Sequence, residues 1–176
     1  VALSKRNAEI DGMSEITEFI QADLFECDLS KATVITMFLL PEINMKLRPR
    51  ILDLKPGTRI VSNTFTMGDW VADYEVTTDE NWDSWNTALL WIVPAKVGGI
   101  WKLGTDELSI KQEFQMIYGT LLTDGKSSSI TEGRLNGNEI TFRAGDSLYK
   151  GTVDGIKMTG TVTGNSSKSD WVAIKL

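Results

Sequence analysis

The 176-residue sequence contains no histidine. Its absence excludes Ser-His-Asp and Cys-His nucleophile systems, the usual histidine general base and most zinc sites. We predict no metal site and name no catalytic residue. The one cysteine, Cys27, cannot form an internal disulfide, so there is no sign of an oxidising compartment. No apolar run approaches the roughly 20 residues that span a bilayer. We therefore expect a cytoplasmic protein without a membrane segment.

Basic residues are also in deficit, with 18 Lys and Arg against 24 Asp and Glu and a net charge of −6. A protein that binds nucleic acid usually clusters its basic residues on one face. We therefore expect a small-molecule or protein partner and no nucleic acid. The hydrophobic content is close to the globular average, which predicts a packed core.

Residues 1–95 alternate helical and strand patterns. Residues 1–11 fit the tail of an amphipathic helix, and the alternation in 16–22 predicts a strand. Residues 33–40 are almost wholly apolar, as is typical of a strand buried on both faces of a parallel sheet.

The same half continues with a helix over residues 42–52, after Pro41. Pro49 is expected to kink or end this helix. Two further apolar strands are predicted at 58–65 and 88–93. Strand, helix and strand in this order imply right-handed crossovers and a parallel sheet.

From residue 96 onward the pattern changes to short alternating strands separated by hairpin turn signals. These signals are Asp124-Gly125, Asn136-Gly137, Gly145-Asp146, Asp154-Gly155 and Gly164-Asn165. A weak repeat relates residues 133–137 (GRLNG) to 151–155 (GTVDG), which suggests one hairpin unit used twice. About eight such strands would remove their exposed edges by closing into a small barrel. The predicted fold class is α/β followed by all-β, with domains at 1–95 and 96–176.

Three segments of the first half carry a family resemblance. Residues 18–25 (EFIQADLF) resemble the third strand of class I S-adenosylmethionine-dependent methyltransferases and the acidic turn after it. Residues 36–44 (TMFLLPEIN) resemble the fourth strand and the following helix. Residues 54–62 (LKPGTRIVS) resemble the approach to the fifth strand, and 67–70 (MGDW) extend the match. The combination is most similar to bacterial methyltransferases related to the protein-lysine methyltransferases, some of which carry a β-rich C-terminal extension.

The resemblance implies an incomplete Rossmann-like sheet and S-adenosylmethionine as the cofactor of the intact family. It places Asp23 against the adenine amino group, with Leu24 as a backbone and apolar contact. It also places Thr36, Met37 and Phe38 near the methyl donor and acceptor. Other interpretations stay open, because Asp23 also fits a turn or helix cap, and Met37 and Phe38 also fit core packing.

Asp69 and Trp70 are expected by the same resemblance to border the acceptor site, although Trp70 also fits packing at a sheet edge. The resemblance to the protein-lysine methyltransferases implies a protein substrate that accepts the methyl group on a lysine amine. Methyl transfer depends on positioning and a deprotonated acceptor more than on a strong base. The lack of histidine is therefore compatible with methyl transfer.

The sequence departs from the family in one respect, since residues 1–95 contain no G-x-G. In such enzymes the first strand and the glycine-rich cofactor loop would precede Val1, so we expect an N-terminally truncated methyltransferase. A glycine-rich turn lets backbone amides approach the ligand closely. We therefore expect weak or no S-adenosylmethionine binding and no activity of the chain alone. Without a neighbouring first strand, residues 33–40 would form an apolar edge, which predicts a homo-oligomer.

The alternative function is a non-catalytic remnant, or an assembly or binding module whose barrel takes a small apolar ligand or a protein. Eight large side chains of the second half either line such a cavity or simply fill the barrel. They are Trp101, Phe114, Met116, Tyr118, Phe142, Tyr149, Met158 and Trp171.

Overall fold

The chain divides into two compact units in a computed structural model, Val1–Lys31 and Ala32–Leu176. The structure describes residues 1–78, 85–164 and 167–176. Within that part of the chain, no helix has the length and apolar character needed to cross a membrane.

The first unit contains helix α1, Ala2–Ile10, followed by turns and irregular backbone. The predicted helix at 1–11 is confirmed. The predicted strand at 16–22 is wrong, because these residues form a turn and then irregular backbone. A strand is stable only when a neighbour accepts its hydrogen bonds and covers one face. Ile16 and Ile20 have no such cover within this unit and are 80% and 70% exposed.

The second unit begins with a four-stranded sheet and one helix. In chain order these are β1 Val34–Met37, α2 Pro41–Leu52, β2 Arg59–Asn63, β3 Tyr74–Thr77 and β4 Thr87–Ile92. The spatial order is β1-β2-β4-β3. Strands β1 and β2 are parallel, as predicted, but β4 runs antiparallel to both β2 and β3. The all-parallel sheet is therefore wrong. A parallel connection needs a crossover, usually through a helix, and residues 64–78 of the β2–β4 connection contain none.

Two details of this half also differ from the sequence prediction. Strand β1 is an edge strand with a partly exposed pattern, and only Met37 of its four residues is buried. Helix α2 continues through Pro49 to Leu52. Pro49 removes the hydrogen bond to the Met45 carbonyl, but both residues are exposed, so water can satisfy that oxygen. A small mixed sheet does not confirm the predicted Rossmann-like arrangement.

The remaining strands form a closed eight-stranded antiparallel barrel, which confirms the predicted meander. Each strand pairs with the next in sequence, and the last pairs with the first. The strands are β5 Gly99–Leu103, β6 Asp106–Glu113, β7 Met116–Thr123, β8 Lys126–Asn136, β9 Glu139–Ala144, β10 Ser147–Asp154, β11 Lys157–Thr163 and β12 Lys168–Lys175.

Four of the five predicted hairpin turns lie wholly within the described residues, and all four are present. The turns at Asp124-Gly125 and Gly145-Asp146 lie as predicted, between paired strand ends. The other two lie one residue later, at Gly137-Asn138 and Gly155-Ile156. The first residue of the Gly164-Asn165 signal follows β11, and Asn165 lies outside the described residues.

Aromatic side chains fill the barrel interior. Phe142 and Tyr149 stack with centroids 4.7 Å apart, and Trp171 meets both edge-on. Burial, followed by the charge of Asp106, raises the pKa of Tyr149.

Five of the eight candidate wall residues are buried in the barrel interior, namely Trp101, Phe142, Tyr149, Met158 and Trp171. The other three lie elsewhere: Phe114 packs against the sheet core, Met116 is half-buried and Tyr118 is 49% exposed.

The turn between β6 and β7 joins the barrel to the sheet. Buried Trp70 donates from Nε1 to Oε1 of Gln115 over 2.9 Å, and Gln115 donates from Nε2 to the Val71 carbonyl over 2.8 Å. Phe114, the other turn residue, stacks on Trp70 at 5.8 Å between centroids. Its φ of 51° is unusual for a bulky residue, and its ring packs against the core of the sheet. The hydrogen-bonding capacity of the Gln115 amide is thus used to hold two chain segments together.

Gly160→Val is expected to disrupt the barrel, because a Cβ at this position overlaps the Lys150 carbonyl of the neighbouring strand. We expect a loss of about 3 kcal/mol or more in the free energy of unfolding, or failure to fold. Urea denaturation measures it. Gly98→Ala is the control, since its nearest contact would be the Gln112 Cβ at 3.8 Å. Equal stability of the two variants would contradict the close strand approach.

Gln115→Leu should leave the buried Trp70 Nε1 without its hydrogen-bond partner, at a cost of about 1–3 kcal/mol. A double-mutant cycle with Trp70→Phe isolates the pair. We expect a coupling free energy of at least about 1 kcal/mol from urea denaturation of the four proteins. Additive effects would show that this hydrogen bond does not link the two segments.

Candidate functional site

The candidate site lies at the carboxyl ends of the two parallel strands. Strands β1 and β2 pair from Val34↔Arg59 to Met37↔Ser62, so their carboxyl ends are adjacent. In open α/β sheets, ligands bind in the crevice outside the carboxyl ends of parallel strands. Residues 38–40 and the loop 64–70, which we call the β2 loop, follow these ends.

The first part of the β2 loop is held by the strand before it and by helix α2. Ser62 donates from Oγ to the Phe65 carbonyl over 2.7 Å. Asn44 of α2 is fully buried, and its Nδ2 donates to the carbonyls of Phe65 and Thr66 over 3.3 and 3.1 Å. Thr64 adopts a left-handed φ of 62°. The loop backbone is therefore fixed in a conformation that costs free energy by itself.

The second part of the loop is held by Arg48, also on α2. Its Nη1 donates to the Met67 carbonyl over 2.9 Å and forms an ion pair with Asp69. The hydrogen bond from Arg48 lowers the pKa of Asp69. The Arg48 guanidinium also lies 5.1 Å from the centroid of Phe114, a cation–π contact with the barrel turn. One arginine thus contacts the loop and the barrel.

Three aromatic side chains meet at the carboxyl ends, and we call them the aromatic trio. They are Phe38 after β1, Phe65 after β2 and Trp85 before β4. Their centroids are 5.7 Å apart for Phe38–Phe65 and 5.3 Å apart for each pair with Trp85. Phe38 is 56% and Trp85 52% exposed. The trio is therefore a surface feature and not part of the core.

The predicted residues of β1 fall on different sides of the strand. Thr36 is exposed, and Phe38 belongs to the trio. Met37 is buried in the core of the sheet, which agrees with the core-packing interpretation of its side chain. Trp70 is also buried, and Asp69 is exposed beside Arg48.

The two predicted adenine-side residues belong to the first unit. Asp23 accepts a hydrogen bond at Oδ1 from the Phe25 backbone N–H over 2.7 Å, which is the turn role that was left open. Its carboxylate is nonetheless exposed, and Leu24 beside it is 38% exposed. No group of three metal-ligating side chains occurs among the residues described here.

Sequence patterns did not identify Asn44, Arg48, Phe65 or Trp85 as site residues. Phe65 was predicted only as the end of the strand at 58–65, and Arg48 only as part of the helix over residues 42–52. Trp85 is far in sequence from Phe38 and Phe65, and its approach depends on the antiparallel return of β4. The available signal for Phe65 was its position at the carboxyl end of a predicted parallel strand.

The family model for the ANTKMT methyltransferase domain matches residues 1–74. A protein-lysine N-methyltransferase of Saccharolobus islandicus is 43% identical over 65 residues, which are 36% of this chain and 40% of that protein. The crystal structure of an RNA methyltransferase from Salinibacter ruber in complex with S-adenosyl-L-homocysteine matches with a TM-score of 0.50 and 41% identity. That match covers 55% of this chain and 61% of the other.

The chain spans about two fifths of the curated relative and three fifths of the solved one. S-adenosyl-L-homocysteine is what S-adenosylmethionine becomes after giving up its methyl group, so the Salinibacter structure supports the cofactor that the resemblance implies for the family. The resemblance of this chain to S-adenosylmethionine-dependent methyltransferases is confirmed, with residues 1–74 matching a methyltransferase domain.

Proposed function

We propose that the chain supplies the C-terminal portion of an S-adenosylmethionine-dependent methyltransferase. Residues 1–95 would be a partial Rossmann-like methyltransferase domain, and residues 96–176 a barrel that supports it. The observation that carries the proposal is the parallel β1–α2–β2 arrangement, with exposed side chains at its carboxyl ends. These elements include the segments of family resemblance at 36–44 and 54–62, and residues 1–74 match the family model.

Bound S-adenosylmethionine supplies an electrophilic methyl group to an attacking nucleophile. In our proposal the Asp23 carboxylate accepts a hydrogen bond from the adenine amino group, and Leu24 contacts the ring. Thr36 and Phe38 border the reacting groups, and Met37 contributes only its backbone because its side chain is buried. The β2 loop would position the acceptor, since Asn44 and Arg48 fix its carbonyl groups.

Cofactor binding by this chain is proposed to be weak. Residues 1–95 contain no G-x-G turn, and hydrogen bonds to charged groups contribute about 1.5–3 kcal/mol each. The loss of two or three would remove most of the roughly 8 kcal/mol that corresponds to micromolar affinity. The cytoplasmic location and the preference for a protein acceptor over RNA belong to the same proposal.

The alternative, a barrel that binds an apolar ligand inside, has less support. Phe142, Tyr149 and Trp171 contact one another in the interior, and Trp101 and Met158 are fully buried beside them. Small barrels whose side chains fill the interior are packed cores and not binding cavities.

Asp23→Asn tests the adenine assignment, because asparagine keeps the oxygen that accepts from Phe25 but removes the charge. We expect S-adenosyl-L-homocysteine to bind the chain at millimolar concentration, and the variant to bind about fivefold more weakly. Isothermal titration calorimetry, with S-adenosylmethionine in parallel, measures both.

Asp28→Asn is the matched control, since Asp28 accepts in the same way from the Ser30 backbone over 2.8 Å. Equal affinities of the Asp23 variant and the parent chain would contradict the assignment. Micromolar binding by the parent chain would contradict the proposal that this chain binds the cofactor only weakly. No binding at ten millimolar would favour the non-catalytic alternative.

We also propose that the chain forms a homo-oligomer through the exposed edge of β1. This strand has one hydrogen-bonding neighbour in the described sheet, and Val34 and Phe38 are about half exposed. An apolar edge strand is a template for pairing with another chain. Light scattering coupled to size exclusion should give a dimer mass at micromolar concentration, and Val34→Lys should shift it to the monomer. A well-folded monomer of the parent chain would refute this assembly.

A further inference from the structure

A hollow of about 410 Å³ lies where the end of helix α2, the β4–β5 connection and the end of β6 come together, and we call it the junction hollow. Its walls are Leu52, Pro94, Lys96, Gln112, Glu113 and Phe114. Strand β4 ends opposite the beginning of β2, with Ile92 paired to Arg59. The hollow therefore lies beside the amino end of β2, away from the candidate site at the carboxyl ends. Its volume is within the range of sites that bind small molecules.

The amide of Gln112 fixes the backbone walls of this hollow. Its Oε1 accepts from the backbone N–H groups of Val97 and Gly98 over 2.7 and 3.3 Å. Its Nε2 donates to the carbonyls of Ala95 and Phe114, each over 2.8 Å. These four hydrogen bonds use both donors and both acceptor positions of the amide, so it has none left for a ligand. They also tie the β4–β5 connection to the barrel, and walls fixed in advance reduce the ordering cost of binding.

The lining of the hollow is largely apolar, through Leu52, Pro94 and Phe114. Pro94 is buried, whereas Leu52 and Phe114 are half-buried and pack against the core of the sheet. The Arg48 guanidinium already lies 5.1 Å from the Phe114 centroid, so Phe114 contributes apolar contact and not a second cation–π contact. A ligand for this hollow therefore needs an apolar body, since these three side chains offer it no hydrogen bond.

The two charged side chains of the hollow differ in their pairing. Lys96 forms an ion pair with Asp53. Glu113 is exposed, and its carboxylate has no hydrogen bond or ion pair within the described part of the chain. A cationic ligand would supply the missing partner of Glu113, whereas an anionic ligand would be repelled by Glu113 and would compete with Asp53 for Lys96. The net charge of −6 also favours a cation.

We infer that the junction hollow binds a small organic cation, with its ammonium group at Glu113 and an apolar body of one or two rings against Leu52, Pro94 and Phe114. Gln112 is a positioning residue, because it acts through the backbone walls and offers the ligand no polar atom of its own. The inference does not rest on the proposed methyl transfer, since the hollow and the candidate site lie at opposite ends of the parallel strands.

The test titrates the intact chain with three indoles that differ in charge and little in size, and it follows the backbone amides by two-dimensional NMR. Tryptamine is cationic, tryptophol is neutral and indole-3-acetate is anionic. We expect saturable millimolar binding of tryptamine, with shifts centred on the amides of residues 95–98 and 112–114. The other two probes should bind more weakly, because neither pairs with Glu113.

Glu113→Gln keeps the shape of the side chain and removes its charge. We expect it to weaken tryptamine binding about two- to fivefold, the magnitude of an exposed ion pair, and to leave tryptophol binding unchanged. Glu107→Gln is the matched control, because it removes an exposed carboxylate near the other end of the same strand. It should change neither titration.

Four results would overturn the inference: no saturable binding of tryptamine, equal or tighter binding of tryptophol or indole-3-acetate, shifts centred outside the hollow, or equal effects of the two glutamate substitutions. The comparison of the three probes on the parent chain decides the charge of the ligand even if a variant fails to fold. The calorimetric titration of S-adenosyl-L-homocysteine reports separately on the proposed transferase, so either proposal can fail while the other stands.

Discussion

The hydrogen bond from Trp70 to Gln115 is the contact on which the second unit depends. Trp70 lies at the end of the β2 loop and Gln115 in a barrel turn, and both are buried. A buried polar group without a partner costs about 1–3 kcal/mol, so neither segment can move without exposing or stranding these groups. Trp91 of β4 adds to this constraint by donating from Nε1 to the Trp70 carbonyl over 2.7 Å.

The junction between Trp70 and Gln115 also helps to fix the backbone of the candidate site. Helix α2 holds the β2 loop from one side through Asn44 and Arg48, and the barrel turn holds its far end through Gln115. The half-buried ring of Phe65 is thereby presented by a fixed backbone beside the exposed ring of Phe38, as a binding surface requires. The barrel can contribute to function in this way without containing a ligand, because its interior is occupied by its own side chains.

Much of the barrel could be predicted from the sequence. Two-residue turns such as Asp124-Gly125 need a left-handed backbone that glycine adopts readily, and strand alternation is a local property. The first half of the chain was harder to predict. The strand predicted at 16–22 had the right alternation but lacks a partner in its unit. The antiparallel direction of β4 depends on its pairing with β2 and β3, which no local pattern specifies. Of the aromatic trio, only Phe38 was predicted as a site residue, through the family resemblance of residues 36–44.

The sequence by itself determined the strands of the barrel, the parallel β1–α2–β2 unit and the resemblance to methyltransferases, because periodicity, turn residues and short motifs are encoded locally. Only the tertiary structure decided that Phe38, Phe65 and Trp85 meet at one surface, and that Gln115 of the barrel completes the hydrogen bonds of Trp70. These residues are separated by 20 to 47 positions in the chain. Their approach follows from strand direction and side-chain packing, which no local pattern specifies.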